Sequence, residues 1–276
     1  MIDGNTTLIA HIGYPTHSFK APLIYNPYFE HAGINAVVVP MGSRADDYPA
    51  LLKAVFALSN IGGALITMPH KVSTVALLDE TSVAVKIAGA CNAVKRNADG
   101  KLIGDLFDGE GFVRALKTKG FALQGAACLV VGAGGVGSAI AASLAAAGVA
   151  RLVLTDTNTA SSEALAARIR QHYQSLDVSA GNNDPTGFDL VVNATPLGMQ
   201  DGDPLPVDIS CMSPTAMAGE VVMRTEITPF LAAARARGCA TQVGTDMLFE
   251  QIPAYLEFFG FPTTTAAHLR SLARLP

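Results

Sequence analysis

Along most of the chain, short apolar runs alternate with longer stretches whose apolar residues recur at helical spacing. Residues 7–12 (TLIAHI) and 34–40 (INAVVVP) read as buried strands, the first closed by Gly13 and Pro15. Residues 22–32 have helical spacing with aromatic side chains. Residues 46–59 read as an amphipathic helix with Leu51, Leu52, Val55, Phe56 and Leu58 as its apolar set. Residues 63–68 form a third strand ending at Pro69-His70-Lys71, and residues 91–104 a hairpin around Asn97-Ala98-Asp99-Gly100. A helix follows from Asp108-Gly109 to about Lys119. Strands alternating with helices ahead of this point predict a separate α/β domain.

The second half is organised by residues 129–156. An apolar run, 129–131, turns sharply through Gly132-Ala133-Gly134-Gly135-Val136-Gly137 into an alanine-rich helix. A second apolar run, 152–154, follows and leads to Asp156. Strand, glycine turn, helix, strand and terminal acid at these offsets predict a Rossmann dinucleotide site. Gly132 permits the turn, Gly134 lets backbone N–H groups approach a pyrophosphate, and Gly137 lets the helix pack on its strand. The helix N-terminus favours the phosphate charge. A carboxylate at Asp156 accepts from the ribose hydroxyls and repels a 2′-phosphate. Residues 155–167 contain no Arg or Lys to neutralise one, so the expected cofactor is NAD. Further on, residues 161–173 read as a helix, 189–194 as a strand, and the stretch from Met247 as terminal helices without a strand partner.

Composition narrows the class. A chain of 276 residues, half of them hydrophobic and 15% charged, builds a sizeable core and is not disordered. A net charge of −4 with no Lys/Arg-rich run gives no footprint for nucleic acid. Cys91, Cys128, Cys211 and Cys239 are scattered without metal-ligand spacing, which fits reduced thiols and predicts no metal site. No signal-peptide pattern opens the chain, and no uninterrupted apolar stretch reaches membrane-spanning length. The expectation is a cytoplasmic enzyme, monomeric or homodimeric, acting on a small molecule, with no nucleic acid or membrane partner.

Several short motifs, in order, carry a resemblance. They are Gly13-x-Pro15, Thr67-Met68-Pro69-His70-Lys71, Gly89-Ala90-Cys91-Asn92 and Gly104-Asp105-Leu106-Phe107-Asp108-Gly109-Glu110-Gly111. After the glycine turn come Asn193-Ala194-Thr195-Pro196-Leu197-Gly198-Met199, Thr228-Pro229 and Gly244-x-x-Met247-Leu248-x-x-Gln251. In these the sequence resembles the shikimate/quinate dehydrogenase family of the aromatic amino acid pathway, over nearly its whole length. The resemblance implies a catalytic dyad of Lys71 and Asp108, with Thr67, Asn92 and Gln251 contacting substrate. Asn193, Ala194 and Thr195 match the strand end flanking the cofactor, and Gly244 and Met247 the region near the nicotinamide. The chemistry is consistent: oxidising a secondary alcohol needs one positioned group to take the hydroxyl proton as hydride leaves. His70 is given no role.

The departures bear on substrate and cofactor. Members of the family carry a Ser-x-Ser pair before a proline, which binds the substrate carboxylate; here the ungapped match is Phe19-Lys20-Ala21. Lys20, or Ser18, Thr16 and His17 from a shifted loop, are the available replacements. An asparagine of the family pattern is Leu65, an Asn-Thr pair is Leu106-Phe107, and a late tyrosine is Met223. Each hydrogen bond lost to a charged group costs ~1.5–3 kcal/mol, so losing two weakens carboxylate binding by roughly two to four powers of ten. Shikimate is therefore expected to be a poor substrate. NADP-using members resemble Asn-Arg-Thr where this chain has Asp156-Thr157-Asn158.

The resulting expectation is a two-domain α/β enzyme. Residues 1–106 form the substrate domain, 107–244 a doubly wound Rossmann domain, and 245–276 C-terminal helices completing the first. The expected activity is hydride transfer between NAD and a ring secondary alcohol of a shikimate- or quinate-like polyhydroxy carboxylate. The alternative is an NAD-binding sensor of the same fold with little turnover.

Overall fold

The computed structural model describes residues 2–275. They divide into two compact units: one runs to Phe107 and resumes at Ile252, and the other is Asp108–Gln251.

The first unit contains β1 (Thr7–Gly13), α1 (Pro22–His31), β2 (Ala36–Gly42), α2 (Tyr48–Val55), β3 (Ile61–Ile66), β4 (Glu80–Thr81), α3 (Val83–Ala88), β5 (Ala93–Arg96) and β6 (Leu102–Asp105). Its sheet has the order β2-β1-β3-β5-β6-β4. β1 pairs in parallel with both neighbours, while β5 runs antiparallel to β3 and β6. The apolar run 7–12 is central because β1 is covered on both faces; Ile9, Ala10 and Ile12 are essentially inaccessible. Two expected elements are shorter than their apolar patterns. β3 stops at Ile66, because Pro69 has no N–H for a ladder and the chain turns there. α2 begins at Tyr48, with Pro49 in its first turn where a missing N–H costs nothing, and it ends at Val55 before the exposed Leu58.

The second unit contains α4 (Asp108–Thr118), β7 (Ala127–Val131), α5 (Gly135–Ala146), β8 (Arg151–Thr155), α6 (Thr159–His172), β9 (Asp177–Ala180), β10 (Leu190–Asn193), β11 (Met217–Glu220), α7 (Pro229–Ala236) and β12 (Ala240–Gln242). All the ladders of its sheet, β12-β11-β10-β7-β8-β9, are parallel. The chain winds outward from β7 to β9, returns to β10, and winds out the other way. The switch therefore lies between β7 and β10, where open parallel sheets bind ligands at their carboxyl ends. The buried alanines of α5 allow close packing, and a Cβ on Gly109 would sit 2.0 Å from the Ala139 carbonyl oxygen. Only glycine fits at that crossing of α4 and α5.

α8 (Gly244–Phe259) carries the boundary between the units, and α9 (Ala266–Leu272) follows. The C-terminal stretch packs on α1 within the first unit. Tyr28 donates its hydroxyl to the Pro262 carbonyl at 2.7 Å, and Phe29 meets Phe261 at 5.0 Å between centroids. Among the described residues, no helix is long and apolar enough to cross a membrane.

Candidate active site

In the first unit, the expected substrate residues gather at the carboxyl end of β1 and β3. The Thr67 N–H donates to the Ile12 carbonyl at 2.9 Å, and the Tyr14 N–H to the Met68 carbonyl at 2.9 Å. The segment carrying Lys71 is anchored from beneath. His70, 1% exposed, lies flat on the Tyr48 ring at 3.9 Å and donates from Nε2 to the Ser43 carbonyl at 2.9 Å. Thr74 donates to the His70 carbonyl at 2.7 Å and in turn accepts from the Tyr48 hydroxyl at 2.6 Å. The Lys71 carbonyl accepts from Cys91 N–H at 2.8 Å, tying it to Asn92. His70 thus holds the loop, while the half-buried Lys71 beside it carries the ionisable group.

Asn92 is 1% exposed and points its Oδ1 at the Phe107 N–H, 3.0 Å away, while its Nδ2 is buried without a hydrogen-bond partner. A buried amide donor left unpaired costs ~1–3 kcal/mol, which a ligand acceptor would restore. His11, on β1, is in the same condition: its Nδ1 is buried and unpartnered. Burial first, and the charge of Lys71 second, push its pKa down to about 4, so the imidazole is neutral at neutral pH. Leu65, Leu106 and Phe107 are buried, and Phe107 packs edge-on against Tyr255 and Phe258 at 4.9 and 5.5 Å. Ser18 and Lys20 both sit exposed on the loop after β1, where the Ser18 hydroxyl donates to Pro15 of its own turn at 3.4 Å.

In the second unit, the glycine turn joins β7 to α5. Gly132 has φ of +106°, and a Cβ there would lie 2.7 Å from the Ala194 carbonyl; on Gly137 it would lie 1.9 Å from the Gly132 carbonyl. Gly134 and Gly135 face open space, Val136 is half-buried, and Gly134 caps α5 without a side-chain acceptor. The first-turn N–H groups of such a helix have no intrahelical acceptors and suit a diphosphate. Asp156 lies beside the turn, accepting from Ala133 N–H at 2.7 Å and Asn158 N–H at 2.9 Å. Burial raises its pKa, but these bonds and one from Thr157 outweigh burial and hold the carboxyl below its usual range. The elements present therefore fit a dinucleotide: a side-chain-free turn, an uncapped helix start and an ionised acid.

Asn193 is turned wholly inward. Its Nδ2 donates to the Leu197 carbonyl and to Glu220, and its Oδ1 accepts from Thr195 at 2.6 Å. It shapes the 193–198 loop, which sets the half-buried Ala194 and Thr195 against Gly132. Glu220 was not legible as a site residue. It is inaccessible and accepts from Asn193, Val221, Val222 and Thr228 at 2.8–3.2 Å. The one signal was an acid closing an apolar strand, Met217–Glu220. Gly244 opens α8 where a Cβ would lie 2.5 Å from the Val222 carbonyl, and Met247 is buried one turn on. Gln251 packs its Cβ against Gly111, with a buried, unpartnered Oε1. Asp108 is the buried first residue of α4.

The fold and these two groups of residues define a two-domain α/β protein with a Rossmann unit. Residues 11–94 match the shikimate dehydrogenase substrate binding domain, and residues 116–179, which span the β7–α5–β8 unit, match the ThiF family. The chain is 34% identical to the shikimate dehydrogenase (NADP(+)) of Rubrobacter xylanophilus over 99% of its own length and 97% of that protein. It superimposes with a TM-score of 0.91, at 25% identity, on the shikimate 5-dehydrogenase of Listeria monocytogenes in complex with shikimate and NAD, covering 98% and 97% of the two chains. For the ligand-free 5-ketofructose reductase of Gluconobacter sp. strain CHM43 the TM-score is 0.89 at 28% identity, covering 98% of each. The chain belongs to the shikimate dehydrogenase family, a family of oxidoreductases.

Proposed function

We propose that this protein catalyses NAD-dependent hydride transfer at a secondary alcohol of a polyhydroxy substrate of the shikimate/quinate kind. Lys71 takes the hydroxyl proton during oxidation and returns it during reduction, and Asp108 orients Lys71 and the hydroxyl. A bound pyridine nucleotide supplies the hydride acceptor or donor; the chain supplies the proton carrier and the geometry. The observation that carries this reading is the buried, unpartnered Asn92 Nδ2, linked through Cys91 to Lys71 and set on the same sheet end as Thr67. A polar group with that cost and no internal partner is explained by a substrate hydroxyl.

Asp156 supports NAD over NADP, although the Rubrobacter relative is named for NADP(+). Its ionised carboxylate stands at the ribose end of the turn, and the following residues supply no cation. Gly244 and Met247 fit the nicotinamide end, and Thr67 and Gln251 complete the substrate contacts. The named substrates of the structural relatives, shikimate and 5-ketofructose, are both polyhydroxy compounds convertible at one carbinol or carbonyl carbon.

Initial rates followed at the nicotinamide absorbance, with each dinucleotide and with wild type beside Lys71→Ala, test the proposal. NAD-dependent turnover reduced by roughly 10²–10⁴ in the variant, with NAD affinity unchanged, is the expected outcome. Turnover that survives the substitution refutes the role of Lys71. NAD binding without turnover of any polyhydroxy compound would turn the reading toward a sensor.

A further inference from the structure

At the carboxyl end of β1, aromatic surface stands where the family pattern places carboxylate-binding hydroxyls. Phe19 stacks on His11, with ring centroids 4.1 Å apart and planes 29° from parallel. The same ring covers Gly13: a Cβ there would lie 3.0 Å from Phe19 Cζ and 2.4 Å from Thr67 Cγ2. Phe19 is therefore packed in beside Thr67, and Ala21, the second replaced position, offers only a methyl group.

The charges on this sheet end do not replace the hydroxyls. Lys20 is exposed beyond Phe19, and the exposed Arg44 lies over the Tyr14 ring at 5.6 Å. His11 is buried and neutral at neutral pH, and Lys71 is assigned to the proton. What this sheet end does offer, among its buried side chains, is two single polar atoms without a hydrogen-bond partner, Asn92 Nδ2 and His11 Nδ1. Each can satisfy one hydroxyl or carbonyl oxygen. Neither is the pair of convergent donors a carboxylate needs, and an unpaired carboxylate against Phe19 would remain desolvated.

We propose that the natural substrate carries no carboxylate: it is an uncharged polyhydroxy ketone or the corresponding polyol, and Phe19 determines that specificity. The aromatic ring covers the substrate's C–H face, and His11 and Asn92 each bind one of its oxygens. The inference rests on the hydride-transfer reading above and changes only what is recognised.

A matched pair tests it: shikimate against methyl shikimate, which differ in the charge, each assayed with NAD alongside D-fructose and myo-inositol. Wild type should give a kcat/KM for the ester at least about tenfold above that for the acid. The double variant Phe19→Ser/Ala21→Ser should invert the order, raising the acid by roughly a hundredfold, a factor of ten or more for each charged hydrogen bond restored. Calorimetric titration of both compounds into wild type loaded with the reduced dinucleotide, which cannot accept a hydride from an alcohol, provides the same inequality without turnover and without a variant that has to fold. A wild-type preference for the free acid overturns the inference. Loss of that preference in Lys20→Ala would show that Lys20 supplies an ion pair, and binding of neither compound overturns it as well. The Lys71→Ala arm separates the two readings. Turnover that persists without Lys71 refutes the proton role, whereas Lys71-dependent turnover favouring the acid refutes only the uncharged substrate.

Discussion

Asp156→Asn isolates charge from shape at the cofactor site. The wild-type carboxylate is fixed by N–H groups of Ala133 and Asn158 at 2.7 and 2.9 Å. It is ionised at neutral pH because these bonds outweigh its partial burial. Two unit charges ~4 Å apart repel by ~1 kcal/mol in water and ~4 kcal/mol at the effective dielectric of a protein surface. Asp156 is half-exposed, so a 2′-phosphate beside it should lose between those limits, roughly five- to a thousandfold in affinity. The amide preserves one acceptor and leaves its NH₂ facing a backbone donor, a local cost of ~1 kcal/mol that falls on both dinucleotides alike. Wild type should therefore prefer NAD in kcat/KM, and Asp156→Asn should bring the ratio down at least about fivefold without reversing it. Reversal requires a cation, and residues 155–167 contain none, so adding Thr157→Arg should turn the preference to NADP. Steady-state rates with both dinucleotides, with dissociation constants from nicotinamide fluorescence, measure this. A wild-type preference for NADP, or a ratio unmoved by Asp156→Asn, would refute the argument.

Three other outcomes follow from the packing. In Gly137→Ala the new Cβ would meet the Gly132 carbonyl oxygen at 1.9 Å and the Ala194 methyl at 3.2 Å, so urea denaturation should register a loss of about 2–4 kcal/mol; an unchanged midpoint refutes the contact. Glu220→Gln sets an NH₂ against donors that now converge on a carboxylate, and should lower the melting temperature by roughly 5–15 °C. His11 is held neutral in the fold, with its pKa down to about 4 against about 6.5 when unfolded. Protons bind the unfolded chain first, so its contribution is intact above pH ~6.5, falls as the pH drops, and by pH ~4 has cost about 3 kcal/mol. Denaturation midpoints from pH 7 to 4 should therefore fall more steeply in wild type than in His11→Gln, and parallel curves would refute it.

The parallel core was legible in the sequence because buried strands are continuous apolar runs, as in residues 129–131 and 7–12, and turns are glycines at fixed offsets. Elements whose pairing comes from afar were not. β4 is two residues long and exists because Glu80 and Thr81 pair with β6; β12 is three residues attached to β11. Nothing local distinguishes such segments from loop. The overlong reading of α2 has the opposite cause: Leu58 continues the helical spacing, but the backbone has already turned and left it 45% exposed.

The two candidate groups of residues differ in legibility for a physical reason. The nucleotide end is built from backbone, so its constraints are steric and local. Gly132 and Gly137 are required by carbonyl oxygens within a few residues of the turn or on the adjoining strand, and a glycine pattern reports that directly. The proposed substrate group draws on side chains of β1, the loop after β3, and Asn92 just before β5. Its meaning depends on which atoms are left over once the fold has made its own hydrogen bonds. Asn92 shows the difference: the sequence marks it only through resemblance, whereas the structure divides it into an Oδ1 bound to the Phe107 N–H and an Nδ2 bound to nothing. His11 had no such mark, because a histidine inside an apolar run reads as a core residue until its unpaired Nδ1 and its stack on Phe19 are both seen. On the proposed reading, substrate choice is carried by residues whose role is set by their unpaired remainder, and substitutions there should change specificity more than stability.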